Sequence, residues 1–438
     1  MITRCCQIQL MEIVNKASFP KNVILLEGAR QVGKTTLLSE VARGYQHSGV
    51  ISLNLEEDRV LREKIDTSSS FSEFTKLLRD QYLLNPSEPQ LLIIDEAQES
   101  DLLGSYLRFM KERWAKTTVI LSGSSMTRLF RKDTRVPVGR YTSLKVYPFS
   151  FREFLSAAKR EVLLEELDAF KHTQQISPTM HLELLKQYDF YLKTGGLPEV
   201  VLTALEGGDF ALVRRQILLS QEDDFIRNTA LADRKVFQLA LRGIANHLGS
   251  PSKLTHVADA HVLARKVCEL LQGWHLVHEI EQKGISSTTA FHPKRYLYDV
   301  GIAADLRNMP FPQLSVLDTL NSALRTQVGG ISENAVLLNL LPYNMGNLEL
   351  SSWKKASENP SEVDFVWRGR ELIPIECKAA LKISPRSFAS LRNYMAESAA
   401  KFGLLVSAAP FSEHKEGSAR LVNLPLYLCE GETILSLV

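Results

Sequence analysis

The chain has 438 residues, of which 45% are hydrophobic and 23% charged, and its formal net charge is +2. This is the composition of an ordinary globular protein with material for about two to four domains. It excludes a chain that is basic throughout, so any contact with nucleic acid must come from local basic patches.

The first third of the chain alternates short apolar runs with amphipathic stretches of helical period. The runs, typical of buried parallel strands, lie at 23–26, 50–55, 91–94 and 119–121. The stretches between them lie at 35–43 and 71–84. Repetition of strand, helix and strand predicts an α/β domain with a parallel sheet, which we place at residues 1–150.

The motif GARQVGKT follows the predicted strand VILLE and precedes the predicted helix TTLLSEVA, as a phosphate-binding P-loop requires. Gly28 and Gly33 permit the tight turn that points N–H groups at phosphate oxygens. Lys34 is expected to neutralise phosphate charge and Thr35 to bind Mg²⁺. A glycine-containing turn that binds nothing is the less favoured alternative. The predicted nucleotide-binding residues are Gly28, Ala29, Arg30, Gln31, Val32, Gly33, Lys34, Thr35, Thr36 and Ser124.

The run LLIIDEAQ predicts a buried strand that ends in two carboxylates. Asp95 is expected to hold Mg²⁺ through water, as the Walker-B aspartate does, and Glu96 to polarise the attacking water. The alternative is a strand that ends in a solvated acidic turn. Together with the P-loop, this motif predicts an ATPase of the ASCE or AAA+ type.

Two further features are weaker candidates for the same site. The run VILSGSS resembles a sensor strand between the P-loop and Walker-B strands, and Ser122, Ser124 or Ser125 could face the γ-phosphate. Small polar residues after a strand are equally common in ordinary loops. Arg140 could be an arginine finger that reaches the nucleotide of a neighbouring subunit, or an ordinary surface arginine.

The middle of the chain is mostly helical by pattern, with interruptions at 195–198 and 249–251. We divide it into a helical region at 151–230, lid-like or linking, and a winged-helix-like region at 231–300. In the second region the basic residues that could contact phosphates are Lys253, His256, Arg265 and Lys266. A helical connector with solvated charges is an equally good explanation.

From about residue 20 to 410 the order of motifs resembles a known family. The motifs that carry the resemblance are GARQVGKTTLL, LLIIDEAQE, LSGSSMTRL, VGRYTSLKVYPFSFREFL, YLKTGGLPEVV, KRYLYDVGIAADL, SEVDFVW and IPIECKA. They are similar to those of bacterial and archaeal AAA+ ATPases with a C-terminal domain of unknown function that has a restriction-endonuclease-like core. The resemblance implies ATP binding and leaves the biological role open.

Four residues of the C-terminal region, placed at 301–438, resemble the PD-(D/E)xK nuclease arrangement in an α/β domain. Asp364 lies in a predicted strand, and Glu376 and Lys378 share one face of the next strand. Glu333, on a helix predicted near 331–341, would add a carboxylate. The carboxylates Glu333, Asp364 and Glu376 would bind a metal, and Glu376 and Lys378 would act in catalysis. The alternatives are strand charges that serve solubility, or a nuclease-like fold without catalysis.

The sequence therefore predicts an ATPase, with ATP and Mg²⁺ as cofactors, whose nucleotide cycle controls a nuclease-like domain that binds or acts on DNA. The main alternative is a nucleotide-dependent switch or scaffold whose inactive nuclease-like domain binds a protein partner; a homo-oligomer is compatible with both. Five scattered cysteines predict no disulfide framework and suggest a reducing, cytoplasmic setting. No signal peptide and no run of the roughly 20 apolar residues that span a bilayer are expected.

Overall fold

The computed structural model describes residues 2, 4–15, 23–47, 49–125, 129–130, 141–228, 234–285, 291–309, 313–343, 349–355, 361–369 and 371–438. The chain divides into two compact units. The first, here called the P-loop unit, comprises Thr3–Tyr147 and Gly273–His275, and the second comprises Met1–Ile2, Pro148–Gln272 and Leu276–Val438. None of the helices in the described ranges combines the length and the apolar character needed to cross a membrane.

The described residues of the P-loop unit form one sheet of five parallel strands in the order β2-β3-β4-β1-β5. Its elements in chain order are α1 (Cys5–Val14), β1 (Val23–Glu27), α2 (Lys34–Gly44), β2 (Val50–Asn54), α3 (Arg59–Asp66), α4 (Phe71–Tyr82), β3 (Gln90–Asp95), α5 (Leu103–Arg113), β4 (Thr117–Gly123) and β5 (Tyr141–Lys145). The predicted α/β domain with a parallel sheet is confirmed. The predicted sensor strand β4 lies between β1 and β3, as expected.

Burial explains why these short runs form strands rather than helices. Every residue of β4 is buried, and so are almost all residues of β1 and β3, which is the pattern of strands covered on both faces. The helices add an aromatic cluster to the core, in which Phe74 stacks on Tyr106 with ring centroids 5.0 Å apart and on Trp114 at 5.9 Å. The carboxyl ends of β1 and β3, the two neighbours of β4, lie at the same edge of the sheet and carry the P-loop and Asp95.

The second unit begins with helices and continues into a mixed sheet. Its elements are α6 (Phe151–Ala157), α7 (Glu161–Thr173), α8 (Pro178–Thr194), α9 (Pro198–Leu205), α10 (Phe210–Asn228), α11 (Arg234–Asn246), α12 (His261–Gly273), β6 (Val277–Ile280), β7 (Gln282–Lys283), β8 (Lys294–Leu297), α13 (Val300–Leu306), α14 (Ser322–Leu340), β9 (Glu349–Lys354), β10 (Glu362–Arg368), β11 (Leu372–Lys378), α15 (Ala389–Glu397), β12 (Phe402–Ser407), β13 (Ser412–Glu416), β14 (Ala419–Pro425) and α16 (Gly431–Leu437).

In the described residues of this unit, seven strands form the main sheet, in the order β13-β14-β12-β11-β10-β9-β7. Strands β9, β10 and β11 are antiparallel neighbours, whereas β11, β12 and β14 are parallel. Strands β6 and β8 form a separate antiparallel pair that follows helices α11 and α12. The winged-helix-like character of residues 231–300 stays a prediction.

Two motifs that carry the family resemblance meet at one joint of the second unit. Asp299, from YLYDVG, caps α13 by accepting the Ile302 N–H at 2.9 Å and also accepts the Gly196 N–H at 2.7 Å. The neighbouring Gly195 has a φ of +81°, and a Cβ there would lie 2.3 Å from Asp299 Oδ1. The TGGLPE and YLYDVG motifs are therefore packing determinants that join α8 and α9 to α13.

The C-terminal region contains more regular structure than the sequence predicts. Helix α14 begins at Ser322, capped by Asn321, and not near Ile331, because Gly329 and Gly330 break its apolar pattern without ending the helix. At Gly330 a Cβ would approach the Leu248 carbonyl oxygen to 2.8 Å, so close packing explains one of these glycines. Strands β9, β13 and β14 were not predicted; β13, SEHKE, is exposed over its second half and has no apolar period.

Candidate functional sites

The P-loop has the tight backbone that its glycines predict. At Gly28 a Cβ would lie 2.3 Å from the Val146 carbonyl oxygen, so no larger residue fits there without a shift. Gly33 adopts a φ of +90° and starts helix α2, and Gln31 is also left-handed with a φ of +64°. The loop therefore ends at a helix N-terminus, where N–H groups and the helix dipole favour an anion.

Lys34 lies folded against its own loop. Its Nζ donates to the carbonyl oxygens of Gly28 at 3.0 Å and Ala29 at 2.8 Å, and the residue is only 6% exposed. Burial lowers the pKa of Lys34 to about 8, against the opposing effect of the Glu96 and Asp95 carboxylates. A phosphate would offer this ammonium a charged acceptor in place of two neutral carbonyls.

A hydrogen bond joins the P-loop to the end of β3. The Thr35 hydroxyl donates to Asp95 Oδ2 at 2.7 Å, and Asp95 Oδ1 accepts the backbone N–H of Glu96 at 3.0 Å. Hydroxyl and carboxylate oxygens are the hard ligands that Mg²⁺ prefers, and at nucleotide sites Mg²⁺ usually takes only one or two protein ligands. The residues present therefore fit Mg²⁺ bound with a nucleotide.

Glu96 follows Asp95 in a strained backbone conformation, with a φ of +51°. Gln98 Nε2 donates to Glu96 Oε2 at 2.5 Å and fixes the orientation of this carboxylate. Burial raises the pKa of Glu96, against the opposing effects of the Gln98 hydrogen bond and the Lys34 charge. A carboxylate with a raised pKa is a better proton acceptor than an exposed one. Sequence reasoning missed Gln98, although its place in DEAQ is a usable signal.

Of the remaining residues predicted for this site, some lie within the described residues and one lies outside them. Arg30 is half-buried, whereas Thr36 is exposed at the start of α2. Ser124 is buried just after β4, and the buried Ser122 Oγ makes no hydrogen bond to any described residue. Arg140, the predicted arginine finger, lies outside the described residues.

Arg4 is a residue of this region that the sequence did not point to. Its Nη1 donates to the Val32 carbonyl oxygen at 3.0 Å and its Nη2 to the Tyr147 carbonyl oxygen at 2.5 Å. The side chain precedes α1 and is only 7% exposed. Arg4 therefore fixes the P-loop backbone at Val32 and the chain at Tyr147, and no motif marks it.

The C-terminal carboxylates come together as the sequence predicts. Asp364 lies on β10 and Glu376 on β11, one step beyond the registered pair of Phe365 and Ile375, so that the two acidic residues face each other across the strands. Asp364 Oδ2 accepts the backbone N–H of Cys377 at 2.8 Å. Glu333 projects from α14 and is 6% exposed.

A lysine that was not predicted lies among these carboxylates. Lys294 Nζ, from β8, is 3.0 Å from Glu333 Oε1, 2.8 Å from Asp364 Oδ1 and 2.6 Å from Glu362 Oε1. The Tyr296 hydroxyl, two residues along the same strand, donates to Glu333 Oε1 at 2.5 Å. Lys294 and Tyr296 are both 0% exposed. We call Lys294, Tyr296, Glu333, Glu362, Asp364 and Glu376 the C-terminal cluster.

Burial changes the protonation of this cluster. Burial, together with the charge of Asp364, raises the pKa of Glu333 to about 7 and that of Glu376 well above its usual value. Burial alone would lower the pKa of Lys294, but the carboxylates of Asp364 and Glu333 raise it well above its usual value. The lysine therefore stays charged at neutral pH.

Of the predicted catalytic residues on β11, Glu376 belongs to the cluster, whereas Lys378 makes its hydrogen bond elsewhere. Lys378 Nζ donates to the Ser387 carbonyl oxygen at 2.8 Å and not to a carboxylate. Glu376 Oε2 is buried and makes no hydrogen bond to any described residue. In the part of the chain that the structure describes, no group of three or more His, Cys, Asp or Glu side chains has an arrangement able to hold a metal ion.

Three stretches of the chain match models of known domain families. Residues 20–155 match an AAA domain. Residues 185–313 match a domain of unknown function, DUF8612, and residues 328–427 match a second domain of unknown function, DUF4143. Lys294 thus comes from one of these two domains, and Glu333, Glu362, Asp364 and Glu376 come from the other.

The chain is also similar to proteins that have no assigned function. It is 22% identical over 364 residues to the uncharacterized protein MJ1544 of Methanocaldococcus jannaschii, covering 81% of this chain and 75% of the relative. It is 22% identical over 294 residues to an uncharacterized protein of Haemophilus influenzae, covering 64% of this chain and 67% of the relative. These relatives extend the similarity beyond the AAA domain but do not name an activity.

Likenesses among solved structures are weak. The Thermotoga maritima RuvB Holliday junction branch migration motor aligns with a TM-score of 0.32 at 15% identity, over 62% of this chain and 87% of that chain. The Aeropyrum pernix ORC1 protein in complex with DNA aligns with a TM-score of 0.29 at 14% identity, over 70% of this chain and 92% of that chain. Overlaps of this size carry no argument about activity. From the family match and the parallel sheet, the N-terminal region is an AAA-type P-loop domain.

Proposed function

We propose that this protein binds ATP with Mg²⁺ and hydrolyses it in the P-loop unit. The observation that carries the proposal is the hydrogen bond of 2.7 Å from the Thr35 hydroxyl to Asp95, with Glu96 beside it. The backbone from Gly28 to Gly33 would hold the phosphates, and Lys34 would leave its loop carbonyls to contact them. Bound Mg²⁺, held by Thr35 and through water by Asp95, would neutralise phosphate charge.

In this proposal the protein's own groups orient the attack of water. Glu96 accepts a hydrogen bond from that water and draws its proton, while Gln98 keeps the carboxylate in place. Ser124 lies at the end of β4, next to β1 and β3, where its hydroxyl can reach the γ-phosphate. Arg140 is retained as an arginine finger that acts in cis, or in trans within a homo-oligomer.

We further propose that the nucleotide cycle controls the C-terminal nuclease-like domain and that DNA is its partner. A γ-phosphate can bias a two-state element, which is how a P-loop domain transmits its state. Exposed basic side chains of the winged-helix-like region, Lys253, Arg265 and Lys266, support contacts with DNA phosphates. The four-part division at 1–150, 151–230, 231–300 and 301–438 and the cytoplasmic setting are part of this proposal.

One observation favours a second candidate function, a nucleotide-dependent switch or scaffold. The C-terminal cluster already contains the ammonium group of Lys294, within 3.0 Å of three carboxylates. Lys378, the predicted catalytic lysine, is bonded to a backbone carbonyl instead. In this candidate the nuclease-like domain does not cut DNA but binds a protein partner.

The test is ATP turnover by the full-length chain, measured with and without Mg²⁺ and with and without duplex or single-stranded DNA. Turnover that requires Mg²⁺, rises with DNA and vanishes in Lys34→Ala supports a DNA-linked ATPase. Turnover that DNA does not change supports the switch or scaffold. Tight ATP binding by a folded Lys34→Ala variant would remove the P-loop assignment.

A further inference from the structure

Among the described residues, Lys294 has the only ammonium group within hydrogen-bond distance of the carboxylates of the C-terminal cluster. Its Nζ contacts oxygens of Glu333, Glu362 and Asp364 at 3.0, 2.6 and 2.8 Å. Two of these contacts, to Glu333 Oε1 and Asp364 Oδ1, are hydrogen bonds that the ammonium group donates, and the contact with Glu362 is an ion pair. The lysine is 0% exposed and therefore cannot exchange these partners for water without moving.

Both oxygens of Asp364 and Oε1 of Glu333 are already committed to protein donors. Asp364 Oδ1 accepts from Lys294, and Asp364 Oδ2 accepts the Cys377 N–H at 2.8 Å. Glu333 Oε1 accepts from both Lys294 and the Tyr296 hydroxyl, at 3.0 and 2.5 Å. A divalent ion on the same oxygens would lie close to a positive ammonium group in a site with little water to screen the repulsion.

The ion that the nuclease resemblance implies therefore does not fit these residues as they stand. Mg²⁺ demands oxygen ligands at about 2.0–2.1 Å in near-octahedral geometry. Among the described residues, no group of three or more His, Cys, Asp or Glu side chains is arranged so that it could hold a metal ion. Lys294, Glu333 and Asp364 instead form a buried ion pair that is hydrogen-bonded within the protein, whereas Glu376 Oε2 makes no hydrogen bond to any described residue.

We propose that Lys294 is the resident cation of the C-terminal cluster and takes the place of a divalent metal at Glu333 and Asp364. The cluster then fastens β8 to α14 and β10 and does not serve as a metal site. The inference deepens the switch or scaffold candidate. It does not depend on ATP hydrolysis, because every group in it belongs to the second unit.

The direct test is Mn²⁺ binding to the nucleotide-free, full-length protein, followed by the electron paramagnetic resonance signal of free Mn²⁺. We compare the wild type with Asp364→Asn, and use Asp95→Asn to account for any ion at the P-loop. The expected result is that Asp364→Asn does not change the number of Mn²⁺ ions bound. One ion per chain that is lost in Asp364→Asn and retained in Asp95→Asn would overturn the proposal.

A second variant tests whether the lysine is what excludes the metal. Lys294→Met replaces the lysine with an unbranched side chain that is one atom shorter and carries no charge, so it leaves the carboxylates without a cation. We expect the melting temperature to fall by roughly 5–15 °C. Mn²⁺ at millimolar concentration should then raise it by several degrees in Lys294→Met, but not in the wild type or in Lys294→Met with Asp364→Asn.

The two variants separate the possible outcomes. A folded Lys294→Met variant that binds no Mn²⁺ would contradict the exclusion of metal by the lysine. If Lys294→Met does not fold, the comparison of the wild type with Asp364→Asn decides alone. Loss of ATP turnover in Lys34→Ala bears on the proposed ATPase and leaves both Mn²⁺ measurements unchanged, so the two proposals fail independently.

Discussion

Asp95 and Asp364 are both buried aspartates on strands, each close to a second acidic residue, but different groups face them. Asp95 faces the neutral Thr35 hydroxyl at 2.7 Å, whereas Asp364 faces the Lys294 ammonium group at 2.8 Å. A hydroxyl leaves the negative charge of the carboxylate available to a bound cation. An ammonium group neutralises it. Whether a pair of carboxylates serves as a metal site therefore depends on the group that the rest of the fold places opposite it.

The two lysines of these regions differ in the same way. Lys34 is bonded to two neutral carbonyl oxygens, and burial lowers its pKa to about 8, so a phosphate would be a better partner. Lys294 is bonded to carboxylates, which raise its pKa well above the usual value. The first lysine is ready to bind an anionic ligand, and the second already has its anionic partners within the fold.

In the region around Asp95, the substitution with the largest expected effect is Glu96→Gln. It keeps the size of the side chain and its contact with Gln98 but removes the proton acceptor, so turnover should fall by roughly 100- to 10,000-fold while ATP binding persists. Single-turnover hydrolysis and equilibrium nucleotide binding measure the two effects. Glu88→Gln, at an exposed position before β3, is the matched control. Unchanged turnover would remove Glu96 as the catalytic base.

In the C-terminal cluster around Asp364, the corresponding substitution is Lys294→Ala. Removal of one partner leaves buried carboxylates uncompensated, so the free energy of unfolding should fall by about 3–5 kcal/mol. Chemical denaturation followed by circular dichroism measures the loss, and ATP binding should not change. The control is Lys283→Ala, which removes an exposed pair with Glu349 and should cost less than about 1 kcal/mol. Equal losses would contradict the structural role of Lys294.

Lys34→Ala changes the first region at its anion-binding side. The loss of charge-assisted hydrogen bonds worth roughly 1.5–3 kcal/mol should weaken ATP affinity by about 10- to 150-fold. Little change in stability is expected, because the removed contacts are to neutral carbonyls. Fluorescent nucleotide titration measures the affinity, and the exposed Lys76→Ala serves as the control.

Arg4→Ala should have the smallest effect of the four changes. Arg4 fixes the Val32 and Tyr147 carbonyl oxygens and is not expected to contact phosphate, so ATP affinity should fall by about 10-fold or less, in line with roughly 1 kcal/mol for a lost hydrogen bond. Arg4→Lys should recover part of the affinity. A loss as large as that of Lys34→Ala would mean that Arg4 contacts the nucleotide itself.

The P-loop unit was largely predictable because its signals are local. The strand, the glycine turn and the helix of the P-loop are consecutive in sequence, and Asp95 and Glu96 directly follow an apolar run. The order of strands also agrees, since β4 lies between β1 and β3. Local pattern did not reveal Arg4, because this residue precedes α1 and is separated from the P-loop by both α1 and β1.

The sequence by itself determined the chemistry of the P-loop, the parallel sheet and the positions of Asp364, Glu376 and Glu333 on two strands and a helix. Only the tertiary structure decided what faces those carboxylates. Lys294 and Tyr296 lie on β8, and Lys294 is 70 residues away from Asp364 in the sequence. The short run KRYL does not indicate which carboxylates these two side chains will contact. The role of a buried charge depends on which opposite charge is packed against it, and that pairing is a long-range property of the fold.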